Sequence, residues 1–573
     1  MRLDKMMQPG RAGRLWGRLW PALLTVCLVA GWRGGVWMAR YSSRALADDL
    51  ASVGVFSGAA LPDPACRQLL FARNTEQGMA IYTSDLKTGQ QHAVMEIGET
   101  RILSGSFRVL GWSPDGSLFA YSKPAKGRKQ SITICSGYVG AAVDNVVVES
   151  PIESFAWLER KTMAYANRKG EIRAVAQGAK GAWTDRLICS RGGGAQIADF
   201  HGASRTGVTW REGAAVYRAH PGQDEPELIW RGDESSKVSV SFSRERNTFL
   251  IATSEKDGCS IRTLYPGPPR LTNLLARIQD RNVSGVKWIH QGRGYAVLCN
   301  EPAGQTLILS AEGRESVPLF SNGNVQSIAD QGNRLYIVGS TNVEPPGVWE
   351  YNCDDGALRC VLKGSDKGGE IYRDFRHEAG VLTNGARLVT YHLWSPRPGL
   401  FKRKFPLVIG HTPYTWSPYP YMAVNSGYCF VTVDRPGWFT GLDTWVEDVQ
   451  AVTARLREHP RVDTAEAYLY GRSAETHYLS ELVRQNPRAW KGALLFSPGA
   501  LPDVSGCDWT KTLVDLGERD AGARERLTQF QRQAARNGVP VRLLVHKTAR
   551  HTSWSRATQR TRLEDLGIFL SIQ

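Results

Sequence analysis

The feature that most constrains the fold of this chain is a pair of short strands that recurs between Cys66 and Gly364. Each unit has a strand that carries an aromatic residue, then a polar turn, then a second apolar strand. In the clearest unit, Trp112 precedes the turn Ser113-Pro114-Asp115-Gly116, and an apolar run ending at Tyr121 follows. Further units occur at Leu69–Thr83, Phe155–Tyr165, Val238–Ala252, Val286–Leu298 and Ser327–Val338. The units recur about every forty to fifty residues, which predicts an all-β propeller of about six to eight blades over residues 66–370.

Residues 371–573 show a different pattern, in which strands alternate with helices. The runs Phe405–Gly410 and Tyr428–Asp434 are continuously apolar, as expected for strands that are buried on both faces of a sheet. Between Asp443 and His459 the apolar residues recur at helical spacing. This alternation predicts a doubly wound α/β domain. The chain is therefore expected to be multidomain, with a β-propeller followed by an α/β-hydrolase domain.

One strand of this second region leads into a turn that carries a serine. The run Ala467–Tyr470 precedes Gly471-Arg472-Ser473, and a helical pattern follows. A strand, a glycine, a serine two residues later and then a helix outline a nucleophile elbow, the sharp turn that exposes a catalytic hydroxyl. The usual second glycine is replaced by Glu475. Because glycine permits tight packing there, we expect Glu475 to point outward or to open the turn, and its charge to oppose an oxyanion.

A nucleophilic serine needs a base and an orienting acid, which follow the serine in the order acid, then histidine, in an α/β-hydrolase. Asp520 lies in a loop after the apolar run Thr512–Val514, and His551 lies after the strand Val541–Val545. Both residues follow strands, as the mechanism requires, so we predict the triad Ser473, Asp520 and His551. Four further residues compete for the two supporting roles: Asp515 and Glu518 as the acid, and His546 and His477 as the base.

The oxyanion of an acyl-transfer reaction needs two backbone donors. The first is expected to be the N–H of Ala474, directly after the serine, and the second to come from the loop after Ile409. That loop contains His411 and Thr412.

The N-terminus has the features of an export signal. A basic stretch, residues 1–18, precedes an apolar one, residues 19–39, which we interpret as a signal anchor or a signal peptide. Residues 40–65 are expected to be a linker. The basic flank would stay in the cytoplasm and the remainder would lie outside it, in the periplasm or at the cell surface, with single-pass membrane association.

The charge and the cysteine content indicate which kinds of partner and cofactor this chain is not expected to bind. The formal net charge is +16, but eight of the basic residues lie in the first fifty, and the remaining excess is spread along the chain instead of forming clusters, so nucleic-acid binding is not expected. The ten cysteines show no C-x-x-C spacing, and no metal or cofactor is expected. Cys353 and Cys360 flank the turn Asp354-Asp355-Gly356, which suggests a disulfide across a hairpin in an exported protein.

The combination of Trp112-Ser113-Pro114-Asp115-Gly116 in a propeller pattern with a C-terminal Ser, Asp, His order resembles the prolyl oligopeptidase family of serine peptidases. Further stretches that carry the resemblance are Val431–Gly437, Trp445-x-Glu447-Asp448 and Val462-Asp463. The resemblance implies that Ser473 is the nucleophile, Asp520 the acid and His551 the base. It also implies an acyl-enzyme mechanism on peptides and a propeller that restricts access of substrates.

Two alternatives remain open at this point. Glu475 would suit a catalytically impaired hydrolase that acts as a binding or scaffold protein. The segment from Ser473 to Asp520 and Trp554 also resemble esterases of the enterochelin-esterase type, so the substrate is expected to be a peptide or an ester.

Overall fold

The computed structural model describes most of the chain between residues 44 and 571. The residues outside this description are 1–43, 57, 99–106, 126–128, 138–139, 168, 191–196, 202–207, 213, 220–224, 234–237, 244–245, 256–257, 266–271, 280–281, 302–303, 312–316, 342–343, 366–374, 386, 398–403, 411–416, 434–441, 519, 548–554 and 572–573.

Residues 61–363 form successive antiparallel sheets. The first three contain β1 (Leu61–Pro62), β2 (Gln68–Asn74), β3 (Gly78–Asp85) and β4 (Gln91–Gly98); β5 (Arg108–Trp112), β6 (Leu118–Pro124), β7 (Gln130–Ser136) and β8 (Ala142–Val148); and β9 (Ile152–Glu159), β10 (Thr162–Asn167), β11 (Glu171–Gln177) and β12 (Trp183–Ser190). The next two contain β13 (Ile197–His201), β14 (Val208–Glu212), β15 (Ala215–Ala219) and β16 (Glu227–Arg231); and β17 (Val238–Ser243), β18 (Thr248–Glu255), β19 (Gly258–Leu264) and β20 (Thr272–Gln279). The last contains β21 (Asn282–Ile289), β22 (Gly294–Glu301), β23 (Gly304–Ala311), β24 (Val317–Gln331), β25 (Arg334–Thr341), β26 (Gly347–Asn352) and β27 (Leu358–Lys363).

The inner strands of these sheets contact one another in series. β1 contacts β5, β5 contacts β9, β9 contacts β13, β13 contacts β17, and β17 contacts β21. β21 also contacts β24, and β24 contacts β1, so the series returns to its start. Each sheet buries apolar residues against the next one. Trp157 of one sheet donates its indole N–H to the carbonyl of Gly111 in the sheet before it at 2.9 Å.

The C-terminal part contains one mixed sheet and its helices. The strands are β28 (Phe375–Asn384), β29 (Arg387–Pro396), β30 (Phe405–Gly410), β31 (Cys429–Val433), β32 (Val462–Arg472), β33 (Gly492–Phe496), β34 (Lys511–Gly517) and β35 (Arg542–His546). The helices are α1 (residues 44–52), α2 (Tyr419–Asn425), α3 (Leu442–Leu456), α4 (Glu475–Gln485), α5 (Ala521–Arg536) and α6 (Arg556–Ser571). The order in the sheet is β28-β29-β31-β30-β32-β33-β34-β35, and β30 to β35 pair in parallel.

Both faces of this sheet are covered by helices. On one face, Val449 of α3 and Leu482 of α4 belong to a core that α5 completes. On the other face, Met422 of α2 and Leu566 of α6 pack with residues of α1. Side chains alternate between the two faces along each strand, which explains why the strands are apolar throughout.

The helix α1 lies within the predicted linker, so the structure tests this part of the N-terminal prediction. Residues 40–65 were expected to be a linker, but residues 44–52 are helical, and Leu50 and Ala51 are buried in the core beside α2 and α6. This segment is therefore part of the α/β domain. The basic stretch 1–18 and the apolar stretch 19–39 lie outside the described residues. Among the described residues, no helix is both long enough and apolar enough to cross a membrane.

The predicted disulfide is wrong, although the predicted hairpin is present. Neither Cys353 nor Cys360 forms a disulfide. In the hairpin of β26 and β27, Cys360 lies opposite Trp349, whereas Cys353 belongs to the turn. The two cysteines are several positions apart along the ladder, roughly 10 Å at the usual rise per residue. A disulfide requires Cα atoms about 5.5–6 Å apart, so the register excludes the bridge.

Candidate active site

The turn after β32 has the backbone geometry of a nucleophile elbow. β32 ends at Arg472 and α4 begins at Glu475, so Ser473 lies between a buried central strand and a helix. Ser473 has a φ of 54°, a left-handed conformation that serine rarely adopts. Strained residues of this kind persist only where the surroundings hold them, and they cluster at functional sites.

Hydrogen bonds hold Ser473 on the side of β33 and on the side of α4. Its N–H donates to the carbonyl of Phe496 in β33 at 3.0 Å. Its carbonyl accepts the hydroxyl of Thr476 at 2.7 Å and the N–H of Gly499 at 2.9 Å. The same Thr476 hydroxyl accepts the N–H of Ala500 at 2.9 Å. Thr476 therefore connects the elbow to the loop that follows β33.

Gly471 allows the strand and the helix to approach closely. A Cβ at this position would lie 2.5 Å from Cδ1 of Leu479 and 3.3 Å from Cγ2 of Thr476. A larger residue would require the side chain of Leu479 to shift. The first glycine of the G-x-S pattern therefore allows β32 to pack closely against α4.

Glu475 neither points outward nor opens the turn, which were the two outcomes expected from the sequence. Its side chain turns back, and Oε2 accepts the backbone N–H of Arg472 at 3.0 Å, while Ser473 keeps its positive φ. The carboxylate thus binds the elbow from within the first turn of α4, where a negative charge also interacts favourably with the helix dipole.

Each of the remaining predicted site residues follows the end of a parallel strand of this sheet along the chain. Because β32, β34 and β35 are parallel, their carboxyl ends meet at one edge, where ligands of α/β sheets bind. Asp520 is half-buried, follows β34 and precedes α5, with its N–H donating to the carbonyl of Gly517 at 3.1 Å. His551 follows β35 but lies outside the described residues. Ala474 directly precedes α4; His411 and Thr412, which follow β30, lie outside the description.

The structure brings together two of the competing residues, Asp515 and His546. Asp515 is completely buried within β34, and its Oδ2 lies 2.6 Å from Nε2 of His546. Its Oδ1 lies 2.8 Å from Nε of Arg562 in α6. Neither Arg562 nor the hydroxyl of Ser497, which lies 3.4 Å from the Arg562 guanidinium, was singled out from the sequence. The only sequence signal for Arg562 is an arginine at a position of α6 that faces the core.

This buried network lies within the sheet and contacts α6. Asp515 shares a face of the sheet with Leu513, which packs in the core beside α6. β35 is three strands from β32, about 14 Å at the usual spacing, and His546 is still within its strand. Its Nε2 is also bonded to Asp515. The network therefore joins α6 to the sheet, whereas Asp520 lies beyond the end of β34.

The other candidate acid, Glu518, and the other candidate base, His477, are exposed. Glu518 donates its backbone N–H to the carbonyl of His546 at 2.9 Å. His477 lies on α4 with Nε2 against Gly499, where a Cβ would be 3.3 Å away. Among the described residues, no group of three or more His, Cys, Asp or Glu side chains is arranged to hold a metal ion.

Comparisons with known proteins support the fold. No family model and no curated protein sequence matches the chain. Among solved structures, a prolyl endopeptidase is 14% identical, with a TM-score of 0.71 over 96% of this chain and 95% of that chain. Prolyl oligopeptidase B from Galerina marginata is 11% identical, with a TM-score of 0.70 over 92% of this chain and 90% of that chain. An acylaminoacyl peptidase from Pyrococcus horikoshii is 12% identical, with a TM-score of 0.64 over 91% of this chain and 96% of that chain.

This similarity covers the sheets of residues 61–363 and the α/β part together. The chain therefore has the fold of prolyl oligopeptidases, a propeller joined to an α/β-hydrolase domain. The resemblance stated from the sequence is confirmed at the level of fold.

Proposed function

We propose that the chain is an exported serine peptidase of the prolyl oligopeptidase type. The observation that carries the proposal is the left-handed Ser473 between β32 and α4, in a chain with this fold. Ser473 is the nucleophile, His551 the general base and Asp520 the acid that orients it. The placement of Asp520 after β34 supports its role, because the carboxyl ends of β32 and β34 lie at one edge.

In the proposed reaction, the Ser473 hydroxyl gives its proton to His551 and attacks the scissile carbonyl carbon. The N–H of Ala474 and a donor from the loop that contains His411 and Thr412 stabilise the resulting oxyanion. The tetrahedral intermediate collapses, His551 protonates the leaving amine, and an acyl-enzyme on Ser473 remains. Water, activated by the same histidine, then releases the acid product.

A peptide substrate is favoured over an ester by the nature of the structural neighbours. They are described as prolyl endopeptidases, an oligopeptidase and an acylaminoacyl peptidase, and the Galerina marginata protein was captured with a 35-residue substrate. The way in which Glu475 binds the elbow favours an active enzyme over an impaired homologue, because the turn keeps its strained serine.

We also infer that the propeller has seven blades and restricts access of substrates to the serine. Seven inner strands in a closed series of contacts support this number. β24 contributes to two blades, since Leu309 of β23 pairs with its Val317 and Arg334 of β25 pairs with its Gln331.

Export and membrane anchoring rest on the N-terminal sequence. The basic stretch 1–18 and the apolar stretch 19–39 support an extracytoplasmic location for the two domains.

A fluorophosphonate probe tests the catalytic assignment. We expect the folded protein to gain the mass of one probe on the peptide that contains Ser473, and Ser473→Ala to abolish the labelling. Ser480→Ala is the matched control, because Ser480 lies on α4 and donates to the carbonyl of Thr476. A folded protein that stays unlabelled would support the scaffold alternative instead.

A further inference from the structure

The backbone N–H of Arg472, the last residue of β32, donates to a side chain and not to a neighbouring strand within the described residues. Along a strand, successive N–H groups point to opposite neighbours. Ser473 donates to Phe496 on the β33 side, so the N–H of Arg472 points toward β30. The described pairing of β30 with β32 ends at Gly410 and Tyr470. Glu475 Oε2 accepts this N–H at 3.0 Å.

We propose that Glu475 is a positioning residue for the reaction at Ser473, and that its carboxylate holds the elbow in the conformation that exposes the nucleophile. The inference rests on the proposed function and adds a role for a residue that the G-x-S-x-G pattern does not contain. Glu475 does not contact the reacting atoms in this role. It acts through the backbone of Arg472, the residue directly before the serine.

The contacts on the two sides of Ser473 show why such a group is needed. On its C-terminal side, the serine carbonyl is fixed by Thr476 and Gly499. On its N-terminal side, the hydrogen bond from Arg472 to Glu475 closes the turn. A glycine in place of Glu475 would give room but no acceptor. A carboxylate forms a charge-assisted bond, which is about twice as strong as a neutral one.

Arg472, which belongs to the same motif, offsets the negative charge of Glu475 beside the oxyanion site. The side chain of Arg472 lies in electrostatic range of Glu475 and of the buried Asp515. The carboxylate therefore accepts a backbone N–H and interacts electrostatically with a cation. This arrangement reduces the repulsion that an isolated glutamate would exert on a developing oxyanion.

The test compares Glu475→Ala, which removes the acceptor, with Glu475→Gln, which keeps a neutral one. Glu481→Gln is the matched control, since Glu481 lies on the same helix and pairs with Arg484. Amide hydrogen exchange at Arg472 and the second-order rate of fluorophosphonate labelling are measured well below the melting temperature. For Glu475→Ala we expect exchange at Arg472 to rise about 10- to 150-fold, the range for a hydrogen bond to a charged group.

We expect the labelling rate of Glu475→Ala to fall by about tenfold or more, with Glu475→Gln in between and Glu481→Gln unchanged. The intermediate rate of the glutamine variant separates positioning from a general loss of stability. Unchanged exchange at Arg472 overturns the proposal, and so does faster exchange with an unchanged labelling rate. If the wild-type protein is not labelled at all, the proposed function fails, and the exchange measurement alone then decides whether Glu475 holds the elbow.

Discussion

The buried network around Asp515 gives a prediction whose size follows from the structure. Arg562 is 3% exposed and Asp515 is not exposed at all, so each needs the other's charge. Arg562→Met keeps most of the side-chain volume and removes the cation. Asp515 would then lose the guanidinium that lies 2.8 Å from its Oδ1 and keep the contact of its Oδ2 with His546. Removing one partner of a buried pair costs about 3–5 kcal/mol, because the remaining charge is left uncompensated.

Thermal unfolding followed by calorimetry measures this cost. For a domain of roughly 200 residues, 1 kcal/mol corresponds to about 2–4 °C, so we expect Tm of the α/β domain to fall by about 6–20 °C. Arg484→Met is the control, since Arg484 is 70% exposed in its pair with Glu481 and should contribute less than about 1 kcal/mol. Adding Asp515→Asn to Arg562→Met should recover much of the loss, because it removes the stranded charge.

The structural role also makes a kinetic prediction. Below its melting temperature, the Arg562→Met protein should react with the fluorophosphonate at nearly the wild-type rate. A variant as stable as wild type would refute the reasoning about buried charge. A stable variant with labelling reduced more than tenfold would show that the network belongs to the catalytic machinery.

Three further predictions follow from individual contacts. Gly471→Ala should lower the free energy of unfolding by about 1–3 kcal/mol in denaturant titrations, because its methyl group would overlap Leu479; an unchanged midpoint would contradict the packing role. Alkylation of the unreduced, unfolded protein should modify both Cys353 and Cys360, whereas a linked peptide would contradict the hairpin register. Burial and the neighbouring His392 lower the pKa of His377 from 6.5 to about 4, so the unfolded state binds the extra proton first. Stability should therefore fall by at most about 3 kcal/mol as pH drops from 6.5 to 4, and His377→Gln should flatten this pH dependence.

The elements that the sequence located correctly are those with strong local patterns. The propeller strands recur with aromatic residues and turns such as Ser113 to Gly116, where the Ser113 hydroxyl donates to Asp115 at 2.7 Å. The elbow could be located because Gly471 and Ser473 lie between a strand-like apolar run and a helical pattern. The helix at residues 44–52 could not, because its place in the core beside α2 and α6 depends on contacts with residues more than 350 positions away.

The roles of neighbouring candidates could not be separated from the sequence, because they depend on side-chain direction. Asp515 and Asp520 are five residues apart, but Asp515 is within β34 and points toward α6, whereas Asp520 lies beyond the end of the strand. The direction of Glu475 depends on where β30 ends relative to β32. The disulfide prediction was wrong for a related reason, since it used spacing along the chain where the pairing register was needed.

The measurement that tests the account most directly is the hydrolysis of a library of short, blocked peptides by the purified protein, followed by mass spectrometry. We predict cleavage of internal peptide bonds, and losses of about a thousandfold or more in kcat for Ser473→Ala, Asp520→Ala and His551→Ala, because triad members act as a unit. Asp515→Asn, assayed below its lowered melting temperature, should retain most of the activity. Cleavage that survives Ser473→Ala, or that depends on Asp515 but not on Asp520, would contradict the proposed site.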